Sequence, residues 1–196
     1  MFIDQLLNDV QVGDLVFIRA ETPLMKLVSR ATDCWANHVG FIYDKTPQRC
    51  IVAESRIPLS GKTDLAKFLA RSRSGRFAIL RLKSELSEHQ QSRLKQSADR
   101  RMSKLYHLGF NLHSSRQFCS KFIYEVFLEA LQIEVGKPES FAQLLRRNPE
   151  ESLWFWHCWY FGHIPWHRQT ITPACQLHSP LLTPVGSDQA NHLKSR

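Results

Sequence analysis

Cys119 has the most chemistry in its surroundings. Ser114 with Gln117 forms a capping-box pattern, so Ser114 reads as the N-cap of a helix with Cys119 in its opening turns. Backbone N–H groups without intrahelical partners and the positive end of the helix dipole collect there, and both favour thiolate over thiol. The same N–H groups can receive the oxyanion of an acyl transfer. The bland alternative is a buried cysteine acting as a small hydrophobe, the commoner fate of this residue.

A thiolate needs a base, and His38 is the histidine best placed by pattern to supply one. It opens the run His38-Val39-Gly40-Phe41-Ile42-Tyr43, which reads as a strand. A histidine at a strand end can project its ring into a cleft while the strand holds its backbone. Glu54 closes the next strand, Cys50-Ile51-Val52-Ala53-Glu54, and can accept from the second ring nitrogen to fix the tautomer. The alternatives are a hydrogen-bonded structural histidine and a solvated strand-end glutamate. Register between the two strands is not set by sequence.

The elements that must hold these residues are legible in outline. Gly13-Asp14 turns the chain into Leu15-Val16-Phe17-Ile18, a buried strand. Thr22-Pro23 caps and opens a helix running to about Thr32. Phe2 to Leu7 reads as a short helix, Asp64 to Ala70 as another, and Phe77 to Leu82 as a further strand. Ser87 with Gln90 opens a long polar helix to about Lys104. Phe118, Phe122, Val126 and Ala130 recur at fourfold spacing, which makes the cysteine helix strongly amphipathic. A helix from Ser140 to Arg146 stops before Asn148-Pro149. Residues 152–167 carry Trp154, Trp156, Trp159, Tyr160, Phe161 and Trp166, rings that imply packing on the core or a groove. We expect one domain over residues 1–167 and an extended tail over 168–196, where Pro173, Pro180, Pro184 and Gly186 interrupt regular structure.

The chain has 196 residues, enough for one domain with a sizeable core. A hydrophobic fraction of 43% excludes disorder over the whole length. The net charge of +8 invites nucleic acid or anionic lipid as a partner, but the basic residues are dispersed and no nucleic-acid motif accompanies them. We expect no specific nucleic-acid partner. The five cysteines are odd in number and irregular in spacing, against a disulfide framework. No signal-peptide pattern and no transmembrane-length apolar run is present, so a cytoplasmic location is expected. Cys34 lies four residues before His38 but late in a helix, where the dipole disfavours thiolate. His157, Cys158, His163, His167, Cys175 and His178 are metal-ligand types in no recognised zinc spacing, so we expect neither a metal nor a cofactor.

The series Gly13-Asp14-Leu15-Val16-Phe17-Ile18, Asn37-His38-Val39-Gly40-Phe41, Val52-Ala53-Glu54 and Gln117-Phe118-Cys119-Ser120-Lys121-Phe122 resembles the permuted NlpC-type papain-like superfamily. Within it the likeness is to the YebB/YiiX-like group, with YebB the more specific guess, and covers roughly residues 12–130. Ordinary papain-like enzymes place the cysteine helix before the histidine strand, and here the order is histidine, polar residue, cysteine. The resemblance implies an α+β fold in which an antiparallel, barrel-like sheet of five or six strands packs against the cysteine helix. It implies Cys119 as nucleophile, His38 as base and Glu54 as orienting residue of a thiol hydrolase acting on an amide, either peptide-like or N-acyl. The expected partner is a small-molecule, lipid-like or peptide-like acyl substrate. The alternatives are an acyltransferase of the lecithin retinol acyltransferase type, a non-catalytic lipid- or peptide-binding module on the same fold, and a basic surface docking protein.

Overall fold

Strand β1 (Leu15–Ala20) alternates its side chains between two apolar surfaces, and this decides the architecture. Leu15 and Phe17 enter one core with Phe122, Ile123, Val126 and Phe127, whereas Val16 and Ile18 enter a second with Leu65 and Phe68. A strand buried on both faces must lie inside a sheet covered on both sides. The computed structural model describes residues 8–147 and 153–185; the helix expected over Phe2 to Leu7 and the stop at Asn148-Pro149 lie outside them.

Around β1 the sheet has the order β4-β3-β2-β1-β5-β8, with β2 His38–Thr46, β3 Arg49–Ser55, β4 Ser60–Asp64, β5 Ser72–Leu82 and β8 Leu182–Pro184. Every neighbouring pair is antiparallel. This is the expected α+β architecture with six strands. The sheet is open rather than a closed barrel: among the described residues its edge strands, β4 and β8, do not pair with each other.

The helices are α1 Pro23–Thr32, α2 Leu65–Leu69, α3 Glu88–Asp99, α4 Cys119–Leu131, α5 Phe141–Arg146, α6 Leu153–Trp159 and α7 Pro173–Leu177. Helix α4 covers one face of the sheet and α2 the other. Thr22 caps α1 by accepting from the Met25 N–H at 3.4 Å, with Pro23 in the first turn. Ser87 with Gln90 closes a capping box on α3, and Ser140 with Gln143 does the same on α5. Helix α3 ends at Asp99 rather than near Lys104. Basic residues on the helix and just after it form ion pairs: Lys95 pairs with Asp44 at 2.5 Å, and Arg101, beyond the helix end, reaches Glu125 at 3.2 Å and also pairs with Glu129.

Two short motifs acquire physical reasons. Gly13 sits at φ 97°, in the region open to glycine, and a Cβ there would lie 2.6 Å from Leu86. Asp14 beside it is buried and holds Arg81 through two hydrogen bonds of 2.8 Å. A Cβ on Gly40 would come within 2.5 Å of Val52 and 3.1 Å of the Phe68 ring, so β2 can approach β3 and α2 this closely only with glycine.

The stretch from 168 onward differs from the expected extended tail. Gln169–Thr170 (β7) pairs with Glu139–Ser140 (β6), α7 follows, and β8 adds an edge strand to β5. Its prolines sit where they are tolerated, at the first turn of α7 and on an edge strand, so they do not prevent packing. Leu177 and Leu182 join the main core. In the aromatic segment Trp156 is buried against Phe141 with rings 5.8 Å apart, whereas Trp154 is 74% exposed and Phe161 90% exposed.

Candidate active site

Gly40 of β2 pairs directly with Glu54 of β3. His38, two residues before Gly40, therefore projects from the same face as Glu54. Their side chains meet: Nε2 of His38 and Oε2 of Glu54 are 2.6 Å apart, and both residues are buried. Phe68 of α2 packs on the imidazole with ring centroids 5.6 Å apart. The next residue back, Asn37, is also buried and fully engaged. Its side chain accepts from the Ala20 N–H at 2.7 Å and donates to the Ala20 and Met25 carbonyls and the Ser29 hydroxyl. These bonds tie the start of β2 to β1 and α1 and fix where His38 begins.

Glu54 is the most enclosed charge of the site, at 0% exposure. It accepts from Thr63 at 2.6 Å and from Arg71 at 2.8 and 2.9 Å, besides facing His38. Burial alone would raise its pKa. The His38 hydrogen bond and charge, the Arg71 charge and the Thr63 hydroxyl outweigh that and bring it down to about 2.

With Nε2 facing Glu54, Nδ1 is the ring nitrogen left for Cys119. Burial would favour neutral imidazole, but hydrogen bonds and charges of Cys119 and Glu54 raise His38 to about 9. Cys119 responds in the opposite sense. Desolvation pushes its thiol up, yet His38, Tyr106 and a backbone hydrogen bond from Val39 more than offset this, leaving its pKa below that of an ordinary cysteine. An imidazole moved up and a thiol moved down are the two directions that favour proton transfer from Cys119 to His38.

The cysteine lies closer to the helix dipole than its sequence pattern suggests. Helix α4 starts at Cys119 itself, with Phe118 in extended conformation as N-cap and no side-chain cap. Ser114 does not cap this helix, because its hydroxyl accepts from the Arg116 N–H at 3.1 Å. Gln117 is drawn into a bridge with Tyr106, donating its N–H to the Leu105 carbonyl at 3.0 Å. The first turn has no cap from its N-cap side chain, so its N–H groups face the site rather than a capping residue.

Tyr106 was not among the residues picked out by sequence, and it completes the arrangement. It is buried, and its hydroxyl lies 4.0 Å from the Cys119 sulfur and within hydrogen-bonding reach of the Cys119 backbone N–H. Burial and the neighbouring thiolate push its pKa well up, so it stays a protonated donor. No periodicity marks Tyr106, because it lies in an irregular connection held by single bridges, Leu59 to Leu105 and Tyr106 to Gln117. Arg71 and Thr63 were also missed; their roles arise from β3–β4 pairing and the chain leaving α2. A cleft of ≈ 590 Å³ opens beside the site, lined by Ala20, Glu21, Met25, His38, Arg56, Ile57, Arg71 and Tyr106 among others. On the other side of Cys119 is an apolar cavity of only ≈ 30 Å³, lined by residues including Val28, Phe141 and Trp156.

The competing residues stay apart. Cys34, Cys50 and Cys175 are all shifted upward, mainly by burial, and Cys50 reaches about 11. His157, His163 and His178 donate Nδ1 to the carbonyls of Leu153, Phe161 and Ala174 within their own turns.

A cysteine at a helix N-terminus, met by histidine and glutamate from antiparallel strands earlier in the chain, is the arrangement of a permuted papain-like fold. The chain belongs to the family of permuted papain-like amidase enzymes described as YaeF/YiiX, C92, which matches residues 9–186. The uncharacterised protein YiiX of Escherichia coli K12 is 26% identical over 178 residues, covering 91% of this chain and 87% of YiiX. The crystal structure described as metalloprotein yiiX from Escherichia coli O157:H7 superposes with a TM-score of 0.82, covering 91% of this chain and 97% of that one. Of the two relatives named from sequence, YiiX is the one these comparisons return. Among the described residues of this chain, no three histidine, cysteine, aspartate or glutamate side chains converge to hold a metal ion. The Glu54 oxygens are already committed to His38, Thr63 and Arg71. The described residues of this site therefore offer no set of free ligands for a metal ion.

Proposed function

We infer that the protein is a cysteine amidase in which Cys119 is the nucleophile, His38 the acid–base group and Glu54 the residue that orients and charges the imidazole. The observation that carries this reading is the buried cluster itself, with His38 2.6 Å from Glu54 and hydrogen-bonded to Cys119 at the first residue of α4. Membership of an amidase family supports it independently.

The thiolate attacks the amide carbonyl carbon, and the oxyanion forms between the Tyr106 hydroxyl and the Cys119 N–H. Collapse breaks the C–N bond as the imidazolium passes its proton to the departing amine, leaving a thioester on Cys119. Neutral His38 then takes a proton from water, and the hydroxide releases the acid and regenerates the thiolate. The site dimensions favour a peptide-like or short acyl substrate over a long-chain lipid. The apolar cavity behind Cys119 has room for little more than one water, whereas the outer cleft is far larger. The absence of disulfides among the described cysteines suits a reducing compartment, so we place the enzyme in the cytoplasm.

The test is the pH dependence of alkylation by iodoacetamide, followed at each cysteine by mass spectrometry. Cys119 is expected to react at a nearly constant rate from pH 6 to 8. In His38→Ala the rate at pH 6.5 should fall by about tenfold or more and climb with pH like an ordinary thiol. Equal reactivity of Cys119 and Cys34, unaffected by His38→Ala, would remove the basis for a thiol enzyme. A further expectation concerns Tyr106→Phe. It should lower kcat by roughly 10²-fold with KM little changed, because the hydroxyl is needed where charge develops. A loss confined to KM would assign the tyrosine to substrate binding instead.

A further inference from the structure

Among the described charges at the outer cleft, Arg56 is the cation with the longest approach to its partner. Glu21 faces Lys26 at 3.6 Å. Arg71 is spent on Glu54, through the contacts of 2.8 and 2.9 Å already described. Arg56 has only a long approach to the same carboxylate, its Nε lying 3.8 Å from Oε1. That oxygen already accepts from Thr63 and Arg71, and its partner oxygen faces His38. Glu54 is therefore saturated before Arg56 reaches it. The Arg56 guanidinium stands at the cleft wall, 45% exposed, as a cation in excess of its local partner.

Its neighbours make it a wall of the substrate cleft rather than an ordinary surface arginine. Ile57, half exposed, follows it in the same wall, and Ala20, Met25 and the Tyr106 ring continue the apolar lining. His38 and Tyr106, which face the Cys119 sulfur, line the same cleft. A guanidinium beside an apolar groove binds a planar anion well, because its fork of donors matches the two oxygens of a carboxylate. A guanidinium so weakly partnered in the cleft wall favours a negative charge on the ligand.

We propose that the substrate is a small amide carrying a free carboxylate, such as an N-acyl amino acid or the C-terminal unit of a peptide, and that Arg56 is its binding residue. This rests on Cys119 being the nucleophile and adds the chemical class of the molecule it attacks. The reaction remains hydrolysis of the amide C–N bond, with the carboxylate unchanged.

The experiment uses two affinity alkylators of nearly equal size, N-bromoacetylglycine and N-bromoacetylglycinamide, which differ only in the carboxylate. Rates at Cys119 are measured in wild type, Arg56→Gln and Arg56→Lys, and each pair is divided by the ratio for free cysteine. Wild type should favour the carboxylate reagent about tenfold, Arg56→Gln should bring the normalised ratio to near one, and Arg56→Lys should retain part of the preference. Taking a ratio removes any change in thiolate reactivity caused by the altered neighbour of Glu54. An activated Cys119 that shows no preference, or one untouched by Arg56→Gln, overturns the carboxylate assignment alone. A Cys119 no more reactive than free cysteine toward either reagent overturns the amidase reading, and the substrate class with it.

Discussion

Replacing Cys119 by serine is expected to lower amide hydrolysis by at least about 10³-fold, to the limit of detection in a steady-state assay. The change is one atom, but it removes what the site is built to stabilise. His38, the Tyr106 hydroxyl and the Val39 backbone together bring the thiol's pKa down against the pull of burial. A serine hydroxyl starts several pH units higher, and the same neighbours cannot hold it as an alkoxide. Release of the free amino acid from a panel of N-acyl amino acids gives the rate, and intact-protein mass spectrometry looks for the acyl adduct. Wild type should show an adduct that maps to Cys119, and Cys119→Ser should show none. Cys34→Ser is the control and should keep its activity, because burial holds that thiol protonated. Loss of activity in Cys34→Ser with retention in Cys119→Ser would reverse the assignment.

Glu54→Ala should be the most damaging change that leaves Cys119 in place. Removing this carboxylate leaves the buried His38 ring and the partly exposed Arg71 guanidinium without their shared partner. Breaking a buried ion pair from one side costs about 3–5 kcal/mol. Displacement of the Glu54 titration from 4.5 to about 2 points to the same scale, on the order of 3 kcal/mol. The His38 displacement describes the same cluster seen from the other partner, so the two are not summed. The sign with pH follows from each group. Glu54, lowered on folding, contributes stability that is complete above pH 4.5 and is lost as pH falls through about 2. His38, raised on folding, contributes stability that is complete below pH 6.5 and is lost as pH rises through about 9. Urea unfolding of wild type and Glu54→Ala should therefore differ most between about pH 4.5 and 6.5. The gap should close as pH falls through about 2 and only narrow as pH rises through about 9, where Arg71 still pairs with Glu54. A gap below about 1 kcal/mol at pH 6, or one that does not vary with pH, would show that the cluster is not a buried ion network. Glu54→Gln separates structure from charge. It keeps the volume and an acceptor for His38 but removes the negative charge, so the imidazolium and the thiolate should both be lost near neutral pH. Its alkylation profile should resemble that of His38→Ala.

Local pattern was sufficient for much of this molecule. Alternation and β-branched residues marked β1, β2 and β3, and the Thr22-Pro23 and Ser87–Gln90 caps marked the starts of α1 and α3, because these signals are short-range and act within a turn or two. The residue types Cys119, His38 and Glu54, and their inverted order, pointed to a permuted papain-like site before any contact was known. Sequence could not bring them together. The pairing of Gly40 with Glu54 is a register, and many registers would satisfy the same alternation. Only packing against α2 and α4 selects the one that sets His38 2.6 Å from Glu54.

Other features were decided wholly by tertiary structure. The capping signal at Ser114 was overridden because Gln117 is used in a bridge to Tyr106, which moves the helix start to Cys119. Tyr106 and Arg56 sit in irregular backbone, where no period exists to read, and they acquire meaning only from the cleft they line. The proline-rich stretch after 168 folds back as α7 and β8 because the free edge of β5 and the apolar face of α4 need covering, a demand invisible from the stretch itself. The sequence by itself determined the chemistry on offer and the elements that carry it. Tertiary structure decided which groups face one another out of water, where a hydrogen bond and a charge are strong enough to move a thiol and an imidazole in opposite directions.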